Sequence, residues 1–431
     1  MSIPGSFLGG AKSRLLPASV PFRFFIAACV FHPLAWLALF AGARDLASYS
    51  GGPGYVLASI HLLTLGVLTM TAMGASYQLL PVVTLRPLES IWPAKLSFWL
   101  FLPGVMLLAF GMISTHAAAL NWGAGLVVSG LVLFVALTAN NLRGAGNLPV
   151  VAAHGWAAIA ALIIFAVIGA LLAADLDGGF LDDHRLLAII HMTLAIFGFM
   201  GLLALGLSLV LVPMFALSRS LSTFHGWLQL LLTAAAIVTF CAAIGLDLQI
   251  LGVAAVIIGL AAAVTHLGLM RNALRTGMRK RLGLSFVLVR SSWGLLALGL
   301  LTGLAVIADF PIAPIAPITN GPALFGFIIL AGWLLTFLTG ILQRIMPFLA
   351  SMHAAGASGI PPLLSDLTAE TPLKVHAVCH FAALALCSTG IVLDWTSLIE
   401  IGAAFGFIGS VSFLIFAARV IVALKNHHNP H

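Results

Sequence analysis

Histidines dominate the ionisable side chains in the apolar part of the sequence, and imidazole chemistry in such a setting is that of metal and heme ligation. His61 lies a little over one turn inside an apolar segment, residues 56-81, and His191 lies about two turns inside another, residues 184-215. Both depths are counted from the same side. Neutral imidazole is a good ligand for heme iron and for copper, and ionisable groups within apolar helices indicate function. We predict that His61 and His191 approach one shared cofactor or ligate neighbouring ones.

Other histidines are weaker candidates for the same chemistry. His32 and His184 are predicted as further cofactor ligands, while His376, Cys379 and His380 have the i, i+3, i+4 spacing that places three side chains on one helix face. Such a triplet can hold copper, zinc or heme. The alternative for each intramembrane histidine is a single hydrogen bond across a helix interface.

The elements that must position these side chains are membrane-spanning helices. The chain has 431 residues, of which 61% are hydrophobic and 7% charged, and its mean hydropathy is +1.16. Apolar runs of about 20 residues recur throughout, each long enough to cross a bilayer. We predict an all-α polytopic protein forming a single transmembrane domain, 1-431. The predicted helices are 21-42, 56-81, 96-116, 119-140, 149-174, 184-215, 225-246, 248-270, 284-308, 320-349, 373-394 and 397-424.

An internal repeat relates the second, sixth and tenth of these helices. Each reads glycine, seven residues, glycine, six residues, proline. The members are Gly66, Gly74 and Pro81, then Gly198, Gly206 and Pro213, then Gly332, Gly340 and Pro347. Taken singly, such glycines permit close helix packing and such prolines mark a cytoplasmic exit. The common spacing predicts three pseudo-symmetric four-helix units centred on helices 56-81, 184-215 and 320-349.

Charge placement predicts orientation. The net charge is +7, but the basic residues are scattered over alternate short loops, so the sequence indicates no nucleic-acid partner. Cytoplasmic loops of membrane proteins carry the excess of lysine and arginine. We therefore predict cytoplasmic N- and C-termini, the lipid bilayer as partner, and location in the inner membrane of a bacterium.

Residues 74-81, Gly-Ala-Ser-Tyr-Gln-Leu-Leu-Pro, with His61 upstream, resemble the second helix of the catalytic subunit of the heme-copper oxidase superfamily, nearest to its nitric oxide reductase branch. The opening Pro21-Phe22-Arg23-Phe24-Phe25 is similar to the NnrS family. The resemblance implies twelve helices in three arcs of four, heme b and copper as cofactors, and respiratory or cytochrome partner subunits. It also implies that His61 is an axial heme ligand and that His191 stands at a copper-ligand position.

The sequence departs from the oxidase pattern at the copper site. The adjacent histidine pair after the seventh helix and the His-x-His of the tenth are absent, and His191 is followed by Met192-Thr193-Leu194-Ala195 without the usual glutamate or tyrosine. We therefore expect a degenerate relative acting in respiratory electron transfer or in nitric oxide or metal homeostasis. The alternatives are a transporter of a metal, heme or small solute and a noncatalytic assembly factor, so enzymatic activity stays open.

Overall fold

The computed structural model describes residues 15–88, 90–146, 148–309, 320–358 and 362–428, and this part of the chain is helical without a strand. It contains twelve helices long and apolar enough to cross a membrane. Nine of them are uninterrupted: α1 Ser19–Ala41, α3 Trp92–Ser114, α4 Ala117–Leu142, α5 Pro149–Gly178, α7 Thr223–Leu246, α8 Gln249–Thr276, α9 Gly283–Ile307, α11 Glu370–Leu393 and α12 Thr396–His428. The predicted class, an all-α integral membrane protein with twelve spans, is confirmed.

The other three spanning helices are α2, α6 and α10, and each contains an eight-residue π-helical segment. Their parts are Tyr55–His61, Leu62–Thr69 and Met70–Val83 in α2, His184–Thr193, Leu194–Gly201 and Leu202–Ala216 in α6, and Gly321–Phe327, Ile328–Leu335 and Thr336–Ser358 in α10. Every π segment begins four residues before the first glycine of the sequence repeat. The three helices that share the glycine and proline spacing therefore also share a π segment at the same position in the repeat.

The repeat glycines face the helix that precedes each of these three along the chain. A Cβ atom on them would approach that neighbour within van der Waals radii: Gly74 to Phe24 Cβ of α1 at 2.7 Å, Gly206 to His154 Cβ of α5 at 2.6 Å, and Gly340 to the Ser285 carbonyl oxygen of α9 at 2.8 Å. Close backbone approach through small residues is the usual way in which membrane helices associate. The repeat glycines therefore do permit close helix packing, and they do so at the same position in all three units.

Two predicted helix ends are wrong. The tenth helix continues nine residues past its predicted end at 349, because Pro347 lies inside α10 without ending it. Membrane helices tolerate proline where neighbouring helices and side chains satisfy the freed backbone groups. The eighth helix reaches Thr276, so Arg271 and Arg275 belong to its last turns and not to a loop. Long basic side chains can extend from a helix end to the interface.

The bundle closes on itself, since α12 packs against both α11 and α1. At this closure Gly406 of α12 lies directly against the indole of Trp36 in α1. The division of residues 1-431 into one domain with three repeat units stays a prediction.

Candidate functional site

The structure brings His61 of α2 and His191 of α6 together. Their ring centroids are 6.5 Å apart and their planes are inclined by 19°. His61 Nδ1 donates to the Leu57 carbonyl oxygen at 3.0 Å, and His191 Nδ1 donates to the Phe165 carbonyl oxygen at 2.9 Å. These bonds fix the proton on Nδ1, so each Nε2 carries a lone pair. Neither Nε2 makes a hydrogen bond to another described residue.

Gly169 on α5 provides the space in which the His191 ring lies. A Cβ atom there would be 2.8 Å from His191 Cε1 and 3.2 Å from Nδ1. Phe165, one turn earlier on the same helix, contacts the ring edge-on with centroids 5.6 Å apart. One face of α5 therefore sets both the position and the tautomer of His191.

Both histidines line a cavity of about 950 Å³ at the end of the bundle where α2 and α6 begin. Its walls are mostly apolar and include Phe197 and Trp333, whose rings stack with centroids 5.9 Å apart. A volume of this size lies within the range of small-molecule and cofactor sites, which are typically apolar with a few placed polar groups. The two imidazoles are such polar groups here.

One end of the cavity, where α6 begins, carries two polar side chains. His184 and Arg185 both line it. His184 Nδ1 contacts Asp175 Oδ2 at 2.7 Å, and the same carboxylate accepts from the Leu181 backbone N–H at 2.7 Å. Arg185 is exposed and pairs with no carboxylate in the described ranges. His184 is thus held at the rim by Asp175, while the Arg185 guanidinium is available to an anionic group.

The remaining predicted ligands gather elsewhere. His32 lies outside the cavity lining, and its ring centroid is 5.9 Å from that of His376 on α11. His376 stacks on His380 at 5.5 Å, and His380 Nε2 bonds to the Thr336 hydroxyl at 2.7 Å. Cys379 packs by its Cβ against Gly409 of α12.

Where the structure describes side chains, no group of three or more histidine, cysteine, aspartate or glutamate residues could hold a metal ion. The metal site predicted from His376, Cys379 and His380 stays a prediction, as do the cofactor roles of His32 and His184. His32, predicted as a further cofactor ligand, does not line the cavity that His61 and His191 share.

Sequence reasoning missed Gly169 and Phe165, because both lie on α5 and no spacing within α6 points to them. It also missed two contacts away from the cavity: His154 Nε2 contacts Gln229 Oε1 at 3.1 Å, and His266 lies edge-on to Trp293. His266 and Trp293 lie on different helices, α8 and α9, so spacing along one helix does not pair them.

Comparison with known proteins is informative at the level of fold. No protein-family model matches the sequence, and no curated protein does either. Among solved structures, the chain is similar to a heme-copper terminal oxidase, determined as a dimer by cryo-EM, with a TM-score of 0.65 and 13% sequence identity over 95% of this chain and 84% of that one. The class is therefore a polytopic helical membrane protein with the fold of a heme-copper terminal oxidase chain.

Proposed function

We propose that this protein binds heme b between His61 and His191 and is a degenerate relative of heme-copper oxidase catalytic subunits. One observation carries the proposal: two imidazoles on separate helices, each with its Nδ1 proton fixed by a backbone carbonyl, line the same apolar cavity. A hydrogen bond from the second ring nitrogen is the usual support of a metal-binding histidine.

The separation of the two rings would let both imidazoles bind the same metal ion. With metal–nitrogen bonds of about 2 Å, such imidazoles have ring centres roughly 6 Å apart, and the centroids here are 6.5 Å apart. A heme would need only His61 and His191 from the protein, because the porphyrin would supply the remaining nitrogens. The donor set therefore fits heme better than a bare divalent ion, for which two ligands are too few.

A heme bound here would supply a one-electron redox centre. The chain's own residues would set its properties. The carbonyl oxygens of Leu57 and Phe165 orient the ligands and raise their basicity, and the apolar walls exclude water. Arg185, at the mouth, is the cation available to the carboxylates of such a cofactor.

The test is the absorption spectrum of purified protein from heme-supplemented cells. We expect a Soret band that is lost in His61→Ala and in His191→Ala. His266→Ala is the control, because His266 is also a histidine within a spanning helix but does not line the cavity. A colourless wild type, or a band unchanged in both ligand variants, would refute heme ligation by this pair.

The cellular role follows from the cofactor and the fold. We infer action in respiratory electron transfer or in nitric oxide or metal homeostasis, in the inner membrane of a bacterium, with both termini cytoplasmic and with respiratory or cytochrome subunits as partners. Copper at His191, as in the oxidase pattern, is the less favoured occupant, since His61 is its one histidine neighbour within ring-contact distance among the described residues.

Transport of heme, a metal or a small solute is the rival function, and the cavity is the observation that favours it. Uptake by proteoliposomes separates the two. A carrier would release its ligand across the bilayer, whereas a bound redox cofactor stays with the protein through purification. Co-purification with oxidase subunits, without a cofactor, would instead indicate an assembly factor.

A further inference from the structure

A second pair of histidines is buried on the other side of α1, away from the cavity. His32 of α1 is 2% exposed and His376 of α11 is 1% exposed. Their ring centroids are 5.9 Å apart with planes inclined by 73°. The Nε2 atoms of both rings are buried and have no hydrogen-bond partner.

Two unpartnered ring nitrogens in one place require an explanation, because leaving a buried polar atom unpaired costs about 1–3 kcal/mol. His376 Nδ1 donates to the Gly409 carbonyl oxygen at 3.1 Å, so its Nε2 carries a lone pair. No hydrogen bond joins the two rings. With the His32 proton on Nδ1, an atom that accepts electron pairs from both Nε2 atoms would satisfy them together.

The surroundings restrict what that atom can be. The Phe413 ring lies 4.8 Å from the His376 ring and 6.4 Å from the His32 ring, centroid to centroid. The described histidine, cysteine, aspartate and glutamate side chains offer no third metal ligand at this place. Zinc takes four ligands in structural sites, and a heme has no room, since neither histidine lines the large cavity. Monovalent copper, in contrast, accepts imidazole and is stable with two neutral donors.

We propose that His32 and His376 form a two-coordinate Cu(I) site joining α1 to α11. His380 acts as a positioning residue: it stacks on His376 at 5.5 Å and is itself held by the Thr336 hydroxyl of α10. The ion carries one charge into an apolar region, and the two metal–nitrogen bonds offset that cost. The site does not depend on heme binding at His61 and His191.

The experiment measures copper in full-length protein expressed in copper-supplemented medium and purified under reducing conditions. We expect one Cu(I) per chain in the wild type, with X-ray absorption showing two nitrogen donors. Competition with a Cu(I) chelator should show affinity weakened by roughly tenfold or more in His32→Gln and in His376→Gln. His266→Gln, whose two ring nitrogens are also buried and unpartnered but which has no second histidine in ring contact, is the matched control.

A wild type that binds no Cu(I) would overturn the proposal, whatever the variants do. So would copper binding that is unchanged in both variants or lost equally in the control. The Soret band, measured on the same samples, tests the heme proposal separately from the copper proposal. The heme proposal fails only if that band is absent or does not change when His61 or His191 is replaced.

Discussion

At the scale of single residues, the position of the His191 ring depends on a glycine, which has no side chain, on the neighbouring helix α5. The ring fits over Gly169, where an added Cβ would lie 2.8 Å from Cε1. Atoms this close repel, and the α5 backbone that carries the glycine is held by its own helix. The ring would therefore have to turn away, breaking its bond to the Phe165 carbonyl oxygen.

We predict that Gly169→Ala weakens heme binding without preventing folding. Displacing the ring would move one of the two proposed heme ligands, so the Soret band should shift or decrease while the size-exclusion profile is unchanged. Gly125→Ala is the control, because a Cβ on Gly125 of α4 meets nothing within 4 Å. Equal spectra for the two variants would contradict this account.

The sequence predicted the His61 and His191 pairing because depth along a helix is readable from residue counts. It did not predict the His32 and His376 pairing. Spacing along one helix identifies neighbours on that helix, as it did for His376 and His380, whose rings do stack. Which residue faces them from α1 depends on how the two helices are rotated, and that rotation is set by packing over the whole interface.

At the scale of elements, the π segments leave carbonyl groups without their usual partners. A π-helix bonds residue i to i+5, so the return to α-helical spacing disturbs the ladder at the junction. The Thr69 hydroxyl donates to the Thr64 carbonyl oxygen at 2.8 Å, and the Thr336 hydroxyl donates to the Ala331 carbonyl oxygen at 3.1 Å. Both are five residues apart, and each hydroxyl supports the end of a π segment.

Thr69→Val should therefore lower the free energy of unfolding in detergent by about 1 kcal/mol, because a methyl group replaces the donor at nearly constant volume. The control is Thr265→Val on α8, whose exposed hydroxyl bonds four residues back within regular α-helix. If the free energy of unfolding falls equally in both variants, the Thr69 hydroxyl does not stabilise the end of the π segment more than an ordinary helical threonine would.

The glycine contacts allow a second test at this scale. In Gly206→Ala the new methyl would lie 2.6 Å from His154 Cβ, an atom that cannot move without its backbone. Overpacking costs about 1–3 kcal/mol, more than the roughly 1 kcal/mol gained from replacing a helical glycine. We expect lower thermal stability, measured against Gly294→Ala, where nothing lies within 4 Å. A stabilised Gly206→Ala variant would mean that α5 and α6 can separate freely.

Helix number and approximate ends were predictable, since twenty-residue apolar runs are a strong signal. The π segments were not, because nothing in residues 62-69 differs in composition from an ordinary apolar helix. The extension of α10 past Pro347 was also hidden. Proline is a breaker by local chemistry, and only the neighbouring helices decide whether the chain continues.

At the scale of the whole molecule, twelve spans require that α1 begins and α12 ends on the same side of the membrane. The basic residues of alternate loops predict that this side is the cytoplasm. The Lys374–Glu370 ion pair contributes little to the stability of the fold, because both side chains are exposed.

Reporter fusions test the orientation. A fluorescent protein joined after the last residue should fluoresce, and alkaline phosphatase at the same place should be inactive. Phosphatase fused within the turn between α7 and α8, next to Asp247, should be active. The opposite pattern would invert the topology and place the cavity mouth toward the cytoplasm.

The contact of Gly406 with Trp36 makes the first and last helices neighbours, running in opposite directions. Each of the twelve spanning helices contacts the helices before and after it in the chain, and α12 contacts α1. These contacts do not depend on which helix comes first in the chain. A circularly permuted gene that links α12 to α1 and opens the turn between α4 and α5 should still assemble, as should two co-expressed halves divided at that turn.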